Sequence, residues 1–120
     1  MKFWLVRKQF MKDNKFYIGH IAEAISSIEE YLNNVDFLSF SQNKMLFDAV
    51  VRELEIIGEA SNNIGDSFQN EYPDIPWRKV IGMRNKITHE YFAVNKKVVW
   101  DTCKDDLPEL KTIISSILAQ

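Results

Sequence analysis

Between residues 14 and 33, apolar side chains recur at Ile18, Ile21, Ala22, Ile25, Ile28 and Leu32, the spacing of one face of an α-helix. The run "NNVDF" then breaks the pattern. A second, longer segment has Ser41 placed to cap its start and extends to about residue 70. Leu46, Ala49, Val50, Ile57, Ala60, Ile64 and Phe68 form its main stripe. Phe47, Val51 and Leu54 begin a second stripe that continues into Gly58, Ser61 and Gly65, residues small enough to let another backbone approach closely. Two apolar faces fit either a homodimer contact or a helix buried at the centre of its own bundle, and periodicity does not separate the two.

The stretch "EYPDIPW" reads as a loop, with Pro76 suited to the first position of a third helix and Pro73 and Asp74 outside it. Trp77, Val80, Ile81 and Ile87 mark the inner side of that helix. Asn95 can cap a fourth segment that runs to the C-terminus through Val98, Val99, Leu107, Leu110, Ile113, Ile114 and Ile117. Pro108 is expected to kink or restart it. No stretch alternates apolar and polar residues as a strand would. The predicted fold is all-α, an up-and-down four-helix bundle with short loops, its last helix kinked or split near Pro108.

Composition narrows the function classes. A chain of 120 residues is one domain with a real core, and 46% hydrophobic with 27% charged residues is ordinary for a globular protein. A net charge of −2 argues against a broad basic face that coats nucleic acid, but a small cleft for one phosphate needs only a few local charges. The single cysteine, Cys103, can form neither an internal disulfide nor a thiolate cluster, which points to a reducing cytosol. The apolar run Phe3 to Val6 is too short for a signal-peptide core, and nothing approaches the roughly 20 apolar residues of a membrane span. A cytoplasmic protein without a membrane partner is expected.

Candidate chemistry gathers in "GMRNKITHEY", residues 82–91. Val80 and Ile87 bracket Arg84, so the arginine stands inside an apolar stripe, where a charge needs a partner or a cleft. Tyr91 would share its face on a continued helix, whereas His89, five residues on, would point away. Convergence of all three requires the helix to end or turn near Thr88. The alternative is a polar rim: a histidine near helix-end carbonyls, a tyrosine with a wet hydroxyl, an arginine in a salt bridge. Asp48, Arg52, Glu55 and Glu59 form a charged stripe on the second helix. It is either a solvated face or the source of a carboxylate that orients Arg84 or His89. His20 reads as structural. Two isolated histidines give no metal spacing, and there is neither a glycine-rich phosphate loop nor a nucleophile elbow, so no metal or cofactor is expected.

"MRNKITHEYF" resembles the R-x4-H-x-Y signature of the HepT-like toxins of the HEPN superfamily. "VRELEIIGEASNNI", "YPDIPWRKVIGMRN" and "DLPELKTII" resemble further parts of the family, so the likeness covers roughly residues 11–119. Residues 1–10 are expected to be an N-terminal extension of no assigned function, with a single HEPN-like helical domain over 11–120. The resemblance implies the toxin of a two-gene toxin–antitoxin module of type II or VII. Such toxins are homodimeric, metal-independent endoribonucleases with the active site at the dimer interface. The cognate antitoxin is an MNT-type nucleotidyltransferase that transfers AMP to the motif tyrosine. Carried over by position, Arg84 and His89 are the catalytic pair, Tyr91 is the AMP acceptor, and Asn85 helps to hold the site. Glu55 and Glu59 are the supporting carboxylates.

The residue types suit that chemistry. RNA brings its own nucleophile in the 2′-hydroxyl, and an unperturbed histidine titrates near pH ~6.5 and can take its proton. An arginine is charged at any working pH and can hold two phosphate oxygens as charge grows on them. AMP on Tyr91 would put a competing anion beside Arg84 and block RNA sterically. Two rivals stand beside the ribonuclease: a nucleotide-binding or partner-binding module of a nucleotidyltransferase complex, and a purely structural dimerising bundle. The acidic balance favours them; Arg84 in an apolar stripe favours the enzyme.

Overall fold

The computed structural model describes the backbone of residues 2–89 and 95–120, and the side chains of residues 2, 14–87 and 95–120. Helix α1 spans Phe3–Tyr31. Its Ile18, Ile21, Ile25 and Ile28 are buried, as the stripe demands. The backbone runs unbroken through Met11, the expected boundary between an extension and the domain. Past its end, Asn34 takes a left-handed backbone (φ 58°), which a short polar side chain tolerates better than a branched one.

The second segment, expected as one helix from Ser41 to about residue 70, is two, α3 (Lys44–Asn63) and α4 (Asp66–Glu71), and a short helix α2 (Phe37–Gln42) precedes them. Ser41 is not the cap. It lies within α2, where its hydroxyl donates to the Leu38 carbonyl at 2.8 Å. Asp36 caps α2 by accepting the Ser39 N–H at 2.8 Å, and Asn43 caps α3 by accepting the Leu46 N–H at 3.1 Å. The reason is Phe40, fully buried on a short helix that the extended backbone of Asn43 turns into α3. At the other end Ile64 adopts extended backbone so that its side chain stays in the core. The Gln69 amide donates to the carbonyls of Ser61 and Ile64, satisfying acceptors that the broken helix leaves over. The Gly65 N–H donates to Asn14 Oδ1 at 3.1 Å, which ties this joint to α1.

Helix α5 spans Trp77–His89. Pro76 lies one position outside it, its carbonyl accepting the Val80 N–H at 3.0 Å. The buried Trp77 indole N–H bonds to the carbonyls of Gln69 and Tyr72, which fixes the entry to the helix. Helix α6 (Lys96–Asp101) is capped as expected by Asn95, which accepts from the N–H groups of Lys97 and Val98. A π turn at Thr102–Asp106 follows, then α7 (Leu107–Leu118). Pro108 explains the split. Its nitrogen has no proton to donate and its ring would strike the preceding turn, so the wider π turn comes first and the proline sits in the first turn of α7.

The described residues are thus all-α, with four longer helices (α1, α3, α5, α7) and three short ones. α3 packs against α1 and α5, and α1 also packs against α7. Phe40, Phe47 and Trp100 join α2, α3 and α6, with ring centroids 5.3–5.7 Å apart. Val98, expected inside, is 60% exposed; Val99 beside it is the buried one. None of these helices is long and apolar enough to cross a membrane.

The small residues of α3 have an explanation within one chain. A methyl group on Gly58 would lie 2.0 Å from Arg84 Cβ and 3.1 Å from Arg84 Cα, so glycine is what lets α5 cross α3 this closely. Ser61 is buried with its hydroxyl on the Ile57 carbonyl. This face is therefore taken up inside the bundle and says nothing about a second copy.

Candidate active site

Arg84 stands where α5 presses on Gly58, so its side chain leaves the helix contact already directed along α3. At the next residue of α3, Glu59 Oε2 lies 2.7 Å from Arg84 Nη2. Asn85 Oδ1 accepts from Arg84 Nη1 at 3.0 Å. A guanidinium carries five N–H donors in a planar fork, more than these two acceptors take up. Held on two sides and with its side chain 30% exposed, it is oriented without being buried.

The pair opens on a cleft of about 390 Å³ between α1, α3 and α5. Glu55, Glu59 and Arg52 line it from α3, and Tyr17 and His20 line it from α1. Glu55 does not reach Arg84; it faces Arg52 at 3.9 Å, a loose contact. Asp48, from the same charged stripe, pairs with Lys44 instead. The stripe thus serves two purposes: one end is a surface ion pair, the other supplies the partner of Arg84.

His20, read from the sequence as structural, lines the same cleft as Arg84, with its ring centroid 4.2 Å from that of Phe16. Phe16 and His20 are four residues apart and fall off the Ile18–Ile21–Ile25–Ile28 stripe, an aromatic pair on the face of α1 turned away from the core.

The other half of the motif is described less fully. α5 stays helical through His89, with no break at Thr88. Five residues of helix separate the Arg84 and His89 backbone positions by about 140° around the axis of α5. The side chain of His89 and the whole of Tyr91 lie outside the described residues. Cys103 offers no competing nucleophile, since burial pushes its thiol up to about 12.

Comparison with known proteins agrees on one family. The sequence model of the HepT-like ribonucleases matches residues 21–117. The probable ribonuclease HepT of Thermococcus cleftensis is 47% identical over 100 residues, covering 83% of this chain and 91% of the relative. A Methanocaldococcus jannaschii protein that bears an RNase name is 37% identical over 83% of this chain and 92% of its own length. One from Caldanaerobacter subterraneus subsp. tengcongensis, likewise bearing an RNase name, is 37% identical over 90% of this chain and 96% of its own. No solved structure matches the chain significantly. With the family model matching residues 21–117 and these relatives 37–47% identical over most of the chain, the chain belongs to the HepT-like ribonuclease family.

Proposed function

We propose that this chain is an endoribonuclease, the toxin of a toxin–antitoxin pair, which cleaves RNA without a metal ion. The observation that carries the reading is the mounting of Arg84. The guanidinium is fixed by Glu59 and Asn85 at the edge of a cleft, with donors left over for the oxygens of a phosphodiester. In the reaction, His89 takes the proton of the 2′-hydroxyl as its oxygen attacks phosphorus. The bond from phosphorus to the 5′-oxygen breaks, and the leaving oxygen gains a proton. The products are a 2′,3′-cyclic phosphate and a 5′-hydroxyl. Arg84 stabilises the charge that grows on the non-bridging oxygens.

The angle between Arg84 and His89 along α5 supports a homodimer, because a cleft shared by two copies can bring an arginine of one near a histidine of the other. Silencing belongs to the same reading: a partner MNT-type nucleotidyltransferase joins AMP to the phenolic oxygen of Tyr91, and the added phosphate then competes for Arg84. Purified protein, shown by mass spectrometry to be unmodified at Tyr91, is mixed with total cellular RNA in excess chelator beside His89→Ala. The reading expects cleavage by the first sample only, at unchanged helicity of the second. Intact RNA in both samples would leave the nucleotide-binding module as the better account.

A further inference from the structure

A lone exposed phenylalanine on a helix signifies little. Phe16 is 56% exposed, but it is not alone. Its ring lies against the imidazole of His20, with centroids 4.2 Å apart and planes at 46°, and meets Tyr17 edge-on at 5.6 Å. His20 and Tyr17 are wall residues of the Arg84 cleft. An aromatic surface therefore continues outward from the cleft that the arginine occupies. Single-stranded nucleic acids are held by this combination, a cation for the backbone and aromatic faces for the bases.

The charges in the cleft say which part of the strand belongs there. Glu55 and Glu59 stand beside Arg52 and Arg84, so among the described residues the cleft balances its charges and offers no run of free cations for successive phosphates. The neighbouring group has to be uncharged and able to meet acceptors as well as donors, which describes a nucleobase edge and not a further phosphate. The volume, about 390 Å³, lies in the range of pockets that take a small molecule, roughly 300–1,000 Å³.

We infer that Phe16 and His20 form a stacking platform for the nucleobase that adjoins the phosphate held at Arg84. The inference rests on the ribonuclease reading for its ligand, RNA, but not on catalysis. It makes Phe16 a substrate-binding residue that the family motif does not include.

The test uses a short oligoadenylate carrying 2-aminopurine and the same strand with abasic positions, titrated against His89→Ala protein so that the strand stays intact. Binding should quench 2-aminopurine fluorescence. Adding Phe16→Ala should weaken binding of the base-bearing strand by roughly 5- to 150-fold, the worth of one stacked base. Phe16→Trp should restore it, and the abasic strand should bind both proteins equally. Equal affinity for the base-bearing strand would overturn the platform, as would an equal loss with the abasic strand. So would a change in sedimentation mass with Phe16→Ala, which would make the ring part of a contact between copies. A wild-type chain that quenches the probe yet cleaves no RNA would remove the ribonuclease reading and keep the platform. One that cleaves with the same affinity with or without the Phe16 ring would do the reverse. A chain that neither binds nor cleaves removes both.

Discussion

Replacing Gly58 with alanine tests the geometry on which the site depends. In most exposed helix positions this change stabilises by about 1 kcal/mol, because glycine is the more flexible residue in the unfolded chain. At Gly58 the new methyl would stand 2.0 Å from Arg84 Cβ and 2.9 Å from Arg84 Cγ. Carbon atoms in contact sit at ~3.5–4.0 Å, so α5 has to retreat by roughly 1.5–2 Å. No rotamer of Arg84 relieves the clash, since its Cβ is fixed to the backbone. Overpacking of this kind costs about 1–3 kcal/mol, and the upper end applies where backbone must move. After the helix-propensity gain, Gly58→Ala should lose about 2 kcal/mol. Gly82, in α5 itself, has nothing within 4 Å of where a methyl would go and does not adopt a positive φ. Gly82→Ala should therefore gain up to about 1 kcal/mol. Urea unfolding followed by far-UV circular dichroism separates the two, with the midpoint as the readout. RNA cleavage should fall about 100-fold in Gly58→Ala while the protein is still folded, the usual result of moving a positioned group by an ångström. If Gly58→Ala proves as stable as Gly82→Ala, the close crossing of α3 and α5 is wrong. If it is unstable but fully active, the crossing does not position Arg84.

Glu59→Ala removes an ion pair whose partners are 30% and 54% exposed, so stability should change by less than about 1 kcal/mol. Turnover should nevertheless drop about 10- to 100-fold through a lower kcat with little change in KM, and Glu59→Gln should recover most of it because its amide oxygen still accepts from Arg84; steady-state cleavage of one RNA decides. Cys103, its thiol pushed up to about 12 by burial, should resist alkylation at pH 8 in the native protein and react at once in denaturant, as mass spectrometry will show. The hydrogen bonds from Ser39 hold the Asp36 carboxyl below its ordinary value, so its contribution to stability is present above pH ~4 and is lost as pH falls through the lowered value. Asp36→Ala should accordingly be less stable than wild type at pH 7, with the gap closing toward pH 2 in urea titrations.

The helical content was legible because burial repeats every three or four residues: Ile18–Ile21–Ile25–Ile28 and Val50–Leu54–Ile57 are buried as their spacing requires. Asn95 and Pro108 were legible because their chemistry is local, an acceptor for free N–H groups and a nitrogen with none to give. The breaks at Asn43 and Ile64 were not, because both arise from a distant demand, the burial of Phe40 and Ile64 in the shared core. Arg84 announced its need for a partner by its position, and Glu59 was among the carboxylates within reach. That Glu59 and not Glu55 meets it depends on where α5 crosses Gly58, a tertiary fact. That His20 shares the cleft with Arg84 likewise depends on the packing of α1 on α3, a tertiary fact.

The central claim is that the RNA supplies the nucleophile while Arg84 and His89 act on it. The most direct measurement takes one RNA with a mapped cleavage site and a twin with a single 2′-deoxy substitution at the cleaved nucleotide. The account predicts that the first is cut in excess chelator to a 2′,3′-cyclic phosphate and a 5′-hydroxyl, and that the second is not cut there. Cleavage of the deoxy strand at that position, or products ending in a 3′-hydroxyl and a 5′-phosphate, would contradict it.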